Sequence, residues 1–152
     1  KNFFLNFIER PKIIGVYWPM LYELDTRPLI KLLLDKKIDV FLPSVFSNQL
    51  QFLQWKLNDS LEFNKLKFYE PKQKSLKKKP ELILVPMLAF DNKGYRLGYG
   101  KGFYDKFFEK NKDIIYIGYG YEFQEVSYLP TEHFDLQCNV IITNKSIKVI
   151  KL

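Results

Sequence analysis

The run "ELILVP" (Glu81–Pro86) is apolar without a break over the length of one β-strand, and it constrains the fold more than any other stretch. A strand with no polar face has to be covered on both sides, so it belongs inside a sheet held between two further layers. "KIIGVYW" (Lys12–Trp18), "IDVFLP" (Ile38–Pro43), "DIIYIGYG" (Asp113–Gly120) and "NVIIT" (Asn139–Thr143) supply its companions. "QLQFLQWKL" (Gln49–Leu57) alternates and reads as a strand with one wetter face. "SIKVIKL" closes the chain as an edge strand or hairpin arm.

Two amphipathic helices are expected between these strands. "LDTRPLIKLLLDKK" (Leu24–Lys37) has Asp25 or Thr26 to cap its start, Pro28 in its first turn, and Leu29, Leu32 and Leu33 on one face. Gly102–Lys110 turns Phe103, Phe107 and Tyr104 inward. Strands alternating with helices, with no internal repeat or linker, predict one α/β domain over residues 1–152: a three-layer open sheet, mostly parallel, flanked by helices. Such sheets bind ligands at the carboxyl ends of their strands. Two segments lie there: "LVPMLAFDNKGYRLGYGKGFYD" after the first run and "GYGYEFQEVSYLPTEHFD" after Asp113–Gly120.

Composition narrows the partners. At 47% hydrophobic and 17% aromatic the chain is too rich for a disordered segment. No apolar run approaches the ~20 residues of a membrane-spanning helix. Lys1–Arg10 lacks the charged start, long apolar stretch and cleavage site of a signal peptide, so a cytoplasmic location and no membrane partner are expected. The single cysteine, Cys138, excludes an internal disulfide and metal fingers, and within "LQCNVIIT" it reads as an inert packed thiol. The net charge of +7 fits an anionic partner, either nucleic acid or a small polyanion, but a lysine-rich bias and solubility account for most of it. The densest cluster, "KQKSLKKK" (Lys72–Lys79), reads as a mobile surface loop with no aromatic to stack on bases. No nucleic-acid partner is therefore expected. Lys1 is not a methionine, and the chain is read as a fragment or trimmed product.

"RLGYGKGFYD" (Arg96–Asp105) places three of the seven glycines at alternate positions ahead of a helix. Without Cβ atoms, Gly98, Gly100 and Gly102 let main-chain amides approach an anion, and the helix N-terminus points its dipole to the same place. Arg96 adds a forked guanidinium, Lys101 a point charge, and Asp105 a carboxylate able to hold magnesium. The spacing matches neither the Walker pattern nor the dinucleotide fingerprint. As a bare glycine-rich loop it fits a phosphate cradle and an ordinary strand-to-helix turn alike. Likewise Asp105 can simply favour the helix dipole, and Arg96 can be a surface ion pair.

The longer stretch "LVPMLAFDNKGYRLGYGKGFYD" resembles the signature of the 5-formyltetrahydrofolate cyclo-ligase family. "VYWPMLYELDT", "FLPSV", "YEP" (Tyr69–Pro71) and "YGYEFQEVSYLPTEHFD" match in the same order, so the resemblance spans essentially the whole chain. It implies a ligase that converts 5-formyltetrahydrofolate to 5,10-methenyltetrahydrofolate, using ATP with Mg2+ and releasing ADP and phosphate. The formyl oxygen would be phosphorylated to an iminophosphate, N10 would attack the same carbon, and phosphate would leave.

Carried over by position, the resemblance makes Arg96, Leu97, Gly98, Tyr99, Gly100, Lys101, Gly102, Phe103 and Tyr104 the ATP site, with Arg96 and Lys101 catalytic. Leu97–Gly102 and Tyr104 would also border the folate, together with Trp18, Met20 and Glu23, the carboxylate for the pterin ring. Asp105 and Asp135 would be the magnesium carboxylates. Phe90 and Tyr104 line the pocket or merely pack, and His133 is incidental. The substrate would be monoglutamyl or polyglutamyl, and the protein a monomer.

The chain departs from the family pattern at three places. It aligns after the family's first, basic helix, whose phosphate role is assigned to neither Lys1 nor Arg10. Met87 stands where glycine is usual, and Asn139 where aspartate is common. The competing readings are a catalytically impaired folate- or nucleotide-binding remnant and a basic nucleic-acid-binding module.

Overall fold

The structure, a computed structural model, describes residues 11–20 and 22–151. Its elements are β1 (Ile13–Gly15), α1 (Arg27–Asp35), β2 (Asp39–Phe46), β3 (Gln49–Gln54), β4 (Leu61–Phe63), β5 (Tyr69–Pro71), β6 (Leu82–Val85), β7 (Ala89–Phe90), β8 (Arg96–Leu97), α2 (Phe103–Lys110), β9 (Ile115–Gly120), β10 (Val140–Thr143) and β11 (Ile147–Val149). Among the described residues seven strands form one sheet in the order β11-β10-β9-β6-β1-β2-β3. The five inner strands are mutually parallel, and β3 and β11 run antiparallel at the edges. The α/β reading with a mostly parallel sheet is therefore correct.

All four residues of β6 are buried, as its unbroken apolar run requires. Leu82 and Leu84 point to the face covered by α1, where Ile14, Val40, Ile117 and Val140 meet Leu29, Ile30 and Leu33. Ile83 and Val85 point to the other face, where Phe41, Tyr116 and Ile141 pack under Tyr104, Phe107 and Phe108 of α2. The chain leaves β1 for β2 through α1 and leaves β6 for β9 through α2, in opposite directions along the sheet. Because β1 and β6 are neighbours, their carboxyl ends form the switch point at which open α/β sheets place their ligand crevice.

Several details differ from expectation. On α1 the buried residues are Leu29, Ile30 and Leu33, while Leu32 is 40% exposed. Thr26 does not cap this helix: its hydroxyl turns inward and donates to the Tyr17 carbonyl at 2.7 Å, and Asp25 accepts from the Arg27 amide instead. On α2 the residues that pack are Tyr104, Phe107 and Phe108, not Phe103. The lysine-rich segment is pinned to the open edge of β3, where the Gln54 amide donates to the Leu76 carbonyl and the Lys78 amide to that of Phe52. Covering an edge strand with charged residues removes a site of unwanted pairing.

Met87 fits because β9 has glycines beneath it. A Cβ on Gly118 would stand 2.6 Å from the Met87 sulfur, and one on Gly120 would stand 2.9 Å from its methyl carbon. Asn139 stitches the far side, its side-chain oxygen accepting from the Tyr116 amide at 2.8 Å. Cys138 is buried and free, and burial pushes its thiol up to about 12, which makes it inert as expected.

The helix faces can be checked by truncation. Leu33→Ala should cost about 2–5 kcal/mol in urea unfolding and Leu32→Ala about 0.5. Equal losses would show that the face of α1 is misassigned.

Candidate active site

The glycine segment is set in place by a hairpin. Asp91 is buried after β7, and its Oδ1 accepts from the amides of Lys93 and Tyr95 at 3.0 and 3.1 Å. Gly94, at φ +88°, completes the turn, and β8 returns antiparallel to β7. Arg96 leaves β8 inward, with its side chain only 4% exposed. Its Nη1 donates to the Pro86 carbonyl at 3.4 Å, its Nη2 lies 3.6 Å from Asp105 Oδ1, and the guanidinium lies 5.2 Å from the centre of the Tyr104 ring.

Gly98 is glycine because of this arginine: a Cβ there would stand 2.5 Å from Arg96 Nη1. At Gly100 and Gly102 the reason is different. Both are left-handed, at φ +84° and +66°, with open space where a Cβ would go. Gly102 is also the N-cap of α2 and offers no capping side chain, which leaves the first-turn amides available to a ligand. Lys101 is exposed between them.

The loop after β1 forms the opposite wall. Glu23 Oε2 accepts from the Met20 amide at 2.8 Å, closing a tight loop. Burial pushes the Glu23 carboxyl above the usual glutamate range, against the stabilising hydrogen bonds from the Met20 amide and the Tyr99 phenol. Burial first, and then the Glu23 charge, raise the phenol of Tyr99 on the glycine loop to about 12. The Tyr104 phenol is likewise pushed up, first by burial and then by Glu23. Trp18 is partly buried beside Trp55, ring centres 5.5 Å apart, and packs on the α1-side core.

Asp105 Oδ1 also accepts from the Leu136 amide at 2.9 Å, so both of its contacts fall on one oxygen. Asp135 is the chain neighbour of that amide, and its own Oδ2 accepts from the Glu132 amide at 2.7 Å. No group of three or more histidine, cysteine or carboxylate side chains suited to a metal occurs among the described residues. Magnesium shared with phosphate oxygens needs only one or two protein carboxylates, fewer than such a group contains.

Other candidates resolve differently. Phe90 is fully buried in the α2-side core and packs rather than lining the crevice. His133 is exposed and sits edge-on to Phe134. Lys1 and Arg10 lie outside the described residues. Gln124, to which sequence reasoning assigns no role, clamps the site: its Oε1 accepts from the Tyr121 amide at 2.6 Å and its Nε2 donates to the Met87 carbonyl at 2.7 Å. That joins the carboxyl ends of β9 and β6. Its place inside "GYGYEFQEVSYLPTEHFD" was the available signal.

A sequence model described as the 5-formyltetrahydrofolate cyclo-ligase family matches residues 3–144. The chain belongs to that family. It is a ligase of folate metabolism. It is 35% identical over 143 residues to the 5-formyltetrahydrofolate cyclo-ligase of Haemophilus influenzae, covering 87% of this chain and 76% of that relative. The Escherichia coli K12 cyclo-ligase is 33% identical over 134 residues, with 82% and 74% covered. The solved structure of Aquifex aeolicus 5,10-methenyltetrahydrofolate synthetase superposes with a TM-score of 0.79 at 29% identity, over 95% of this chain and 74% of that one. The Mycoplasma pneumoniae synthetase gives 0.70 at 25%, over 91% and 77%.

The partly buried Glu23 carboxylate of this cyclo-ligase family member carries a stability cost with a definite pH sign. With Glu23 raised in the folded state, the folded protein keeps a proton that the unfolded chain has already lost. Stability therefore falls as pH rises from the ordinary glutamate range through the raised value. Glu23→Gln should raise Tm at pH 7, with the gain vanishing below about pH 4. An unchanged Tm at pH 7 would show that burial of this carboxylate costs nothing.

Proposed function

We propose that the chain converts 5-formyltetrahydrofolate to 5,10-methenyltetrahydrofolate with cleavage of ATP to ADP and phosphate. The observation that carries this reading is the crevice at the β1–β6 switch point. One wall offers glycine-loop amides, the other a partly buried carboxylate in Glu23. The amides after Gly98 and at the start of α2 would receive the triphosphate, with Lys101 adding charge from the rim and Arg96 from beneath. Glu23 would accept from the N–H groups of the pterin, taking the place of its Tyr99 contact, with Met20 and Trp18 behind it.

The formyl oxygen is a poor leaving group. Its attack on the γ-phosphorus breaks the bond to the bridging oxygen, releases ADP and leaves an iminophosphate on the formyl carbon. N10 then attacks that carbon, loses its proton to water, and phosphate departs as the five-membered ring closes. The protein's share is to align two polyanionic reactants and offset charge on the transferred group. Asp105 and Asp135 would hold Mg2+, which neutralises phosphate charge when bound. No helix among the described residues is long and apolar enough to cross a membrane, and the buried free thiol of Cys138 suits a reducing, cytoplasmic setting.

The test is formation of methenyltetrahydrofolate, followed by its ultraviolet absorbance and strictly dependent on ATP. Arg96→Ala and Lys101→Ala should each lower turnover, Arg96→Ala by at least about 100-fold, with circular dichroism unchanged. Folate binding without any turnover would instead favour an impaired remnant.

A further inference from the structure

Arg96 Nε is a buried side-chain nitrogen with no hydrogen-bond partner among the described residues. The polar contacts that the guanidinium does make among the described residues are long, 3.4 Å to the Pro86 carbonyl and 3.6 Å to Asp105. A buried guanidinium normally gains several short, charge-assisted bonds, and one this poorly satisfied costs free energy. Tyr104 supplies a face for the cation but no acceptor in the guanidinium plane. The carboxylate opposite is committed elsewhere as well, since the same Asp105 oxygen takes the Leu136 amide at the better distance of 2.9 Å.

From this geometry we infer that Asp105 is an exchangeable counter-ion for Arg96, holding it under Gly98 until a nucleotide phosphate displaces the carboxylate. This rests on the nucleotide reading above and adds a second duty to Asp105. In the empty site it neutralises the buried cation. In the filled site the phosphate takes the guanidinium and Asp105 is released toward the cation that accompanies the phosphate. The guanidinium and the cation compete for the charge of the one carboxylate, so binding of nucleotide and of metal is coupled. Nucleotide without metal must break the Arg96–Asp105 pair uncompensated, whereas nucleotide with metal gives the freed carboxylate a partner. Asp105 is thus a positioning residue for Arg96 before it meets any ligand.

Calorimetry separates this from a fixed scaffold. Asp105→Asn keeps the acceptor for the Leu136 amide and removes the competing charge. ATP in excess EDTA should bind this variant about tenfold more tightly than the parent, and the advantage of Mg-ATP over free ATP should shrink. Unchanged or weaker binding of metal-free ATP to a folded variant would overturn the exchange. A measurement on the unaltered protein guards against a variant that fails to fold. Titration with ATP in EDTA should shift the Arg96 Nε–H and Leu136 N–H resonances together with those of Gly98–Gly102. Movement of the loop amides while Arg96 and Leu136 stay still defeats the exchange but leaves the nucleotide site standing. No movement anywhere defeats both.

Discussion

The burial of β6 on both faces is the constraint from which the rest follows. Four consecutive apolar side chains alternate between the two sides of the sheet, and neither side can be left to water. One helix must cover Leu82 and Leu84 and another must cover Ile83 and Val85. Right-handed crossovers then send the chain one way from β1 and the other way from β6. The loops that follow these two neighbouring strands have no sheet beyond them, and both emerge at the switch point.

Loops outside a sheet lose the partners that a ladder provides, and here side chains supply them. Asp91 holds two amides of the hairpin, Glu23 holds Met20, Gln124 bridges β9 to β6, and Asp105 holds Leu136. Each clamp closes a segment whose own residues are free to face a ligand. The satisfied clamps throw the Arg96 guanidinium into relief. Its buried Nε has no hydrogen-bond partner among the described residues.

Much of this was legible beforehand because its causes are local. Continuous apolar runs mark covered strands, and "FDNKG" marks a turn through the Asp91 side chain and a left-handed Gly94. The glycines of Arg96–Asp105 were read as a group, yet they serve three ends. Gly98 makes room for Arg96, Gly100 satisfies a left-handed backbone, and Gly102 both satisfies one and leaves a helix start uncapped. Spacing alone does not separate these, because the partner of Gly98 is placed by folding. The β4–β5 hairpin escaped notice for a similar reason. Its strands are three residues each, and they are anchored by Glu70 accepting from the Val45 amide and Gln73 bonding Ser44, contacts between distant parts of the chain.

The sequence by itself determined the layer order, the parallel core and the position of the glycine-rich segment, since hydrophobic periodicity and glycine placement act within a few residues. The tertiary structure decided which way charged side chains face and what they meet. Whether Arg96 points to solvent or lies under Gly98, whether Leu32 or Ile30 enters the core, and how far Glu23 is withdrawn from water depend on neighbours brought together from far along the chain. A charge set by burial and pairing is a property of its surroundings, and those exist only once the chain has folded.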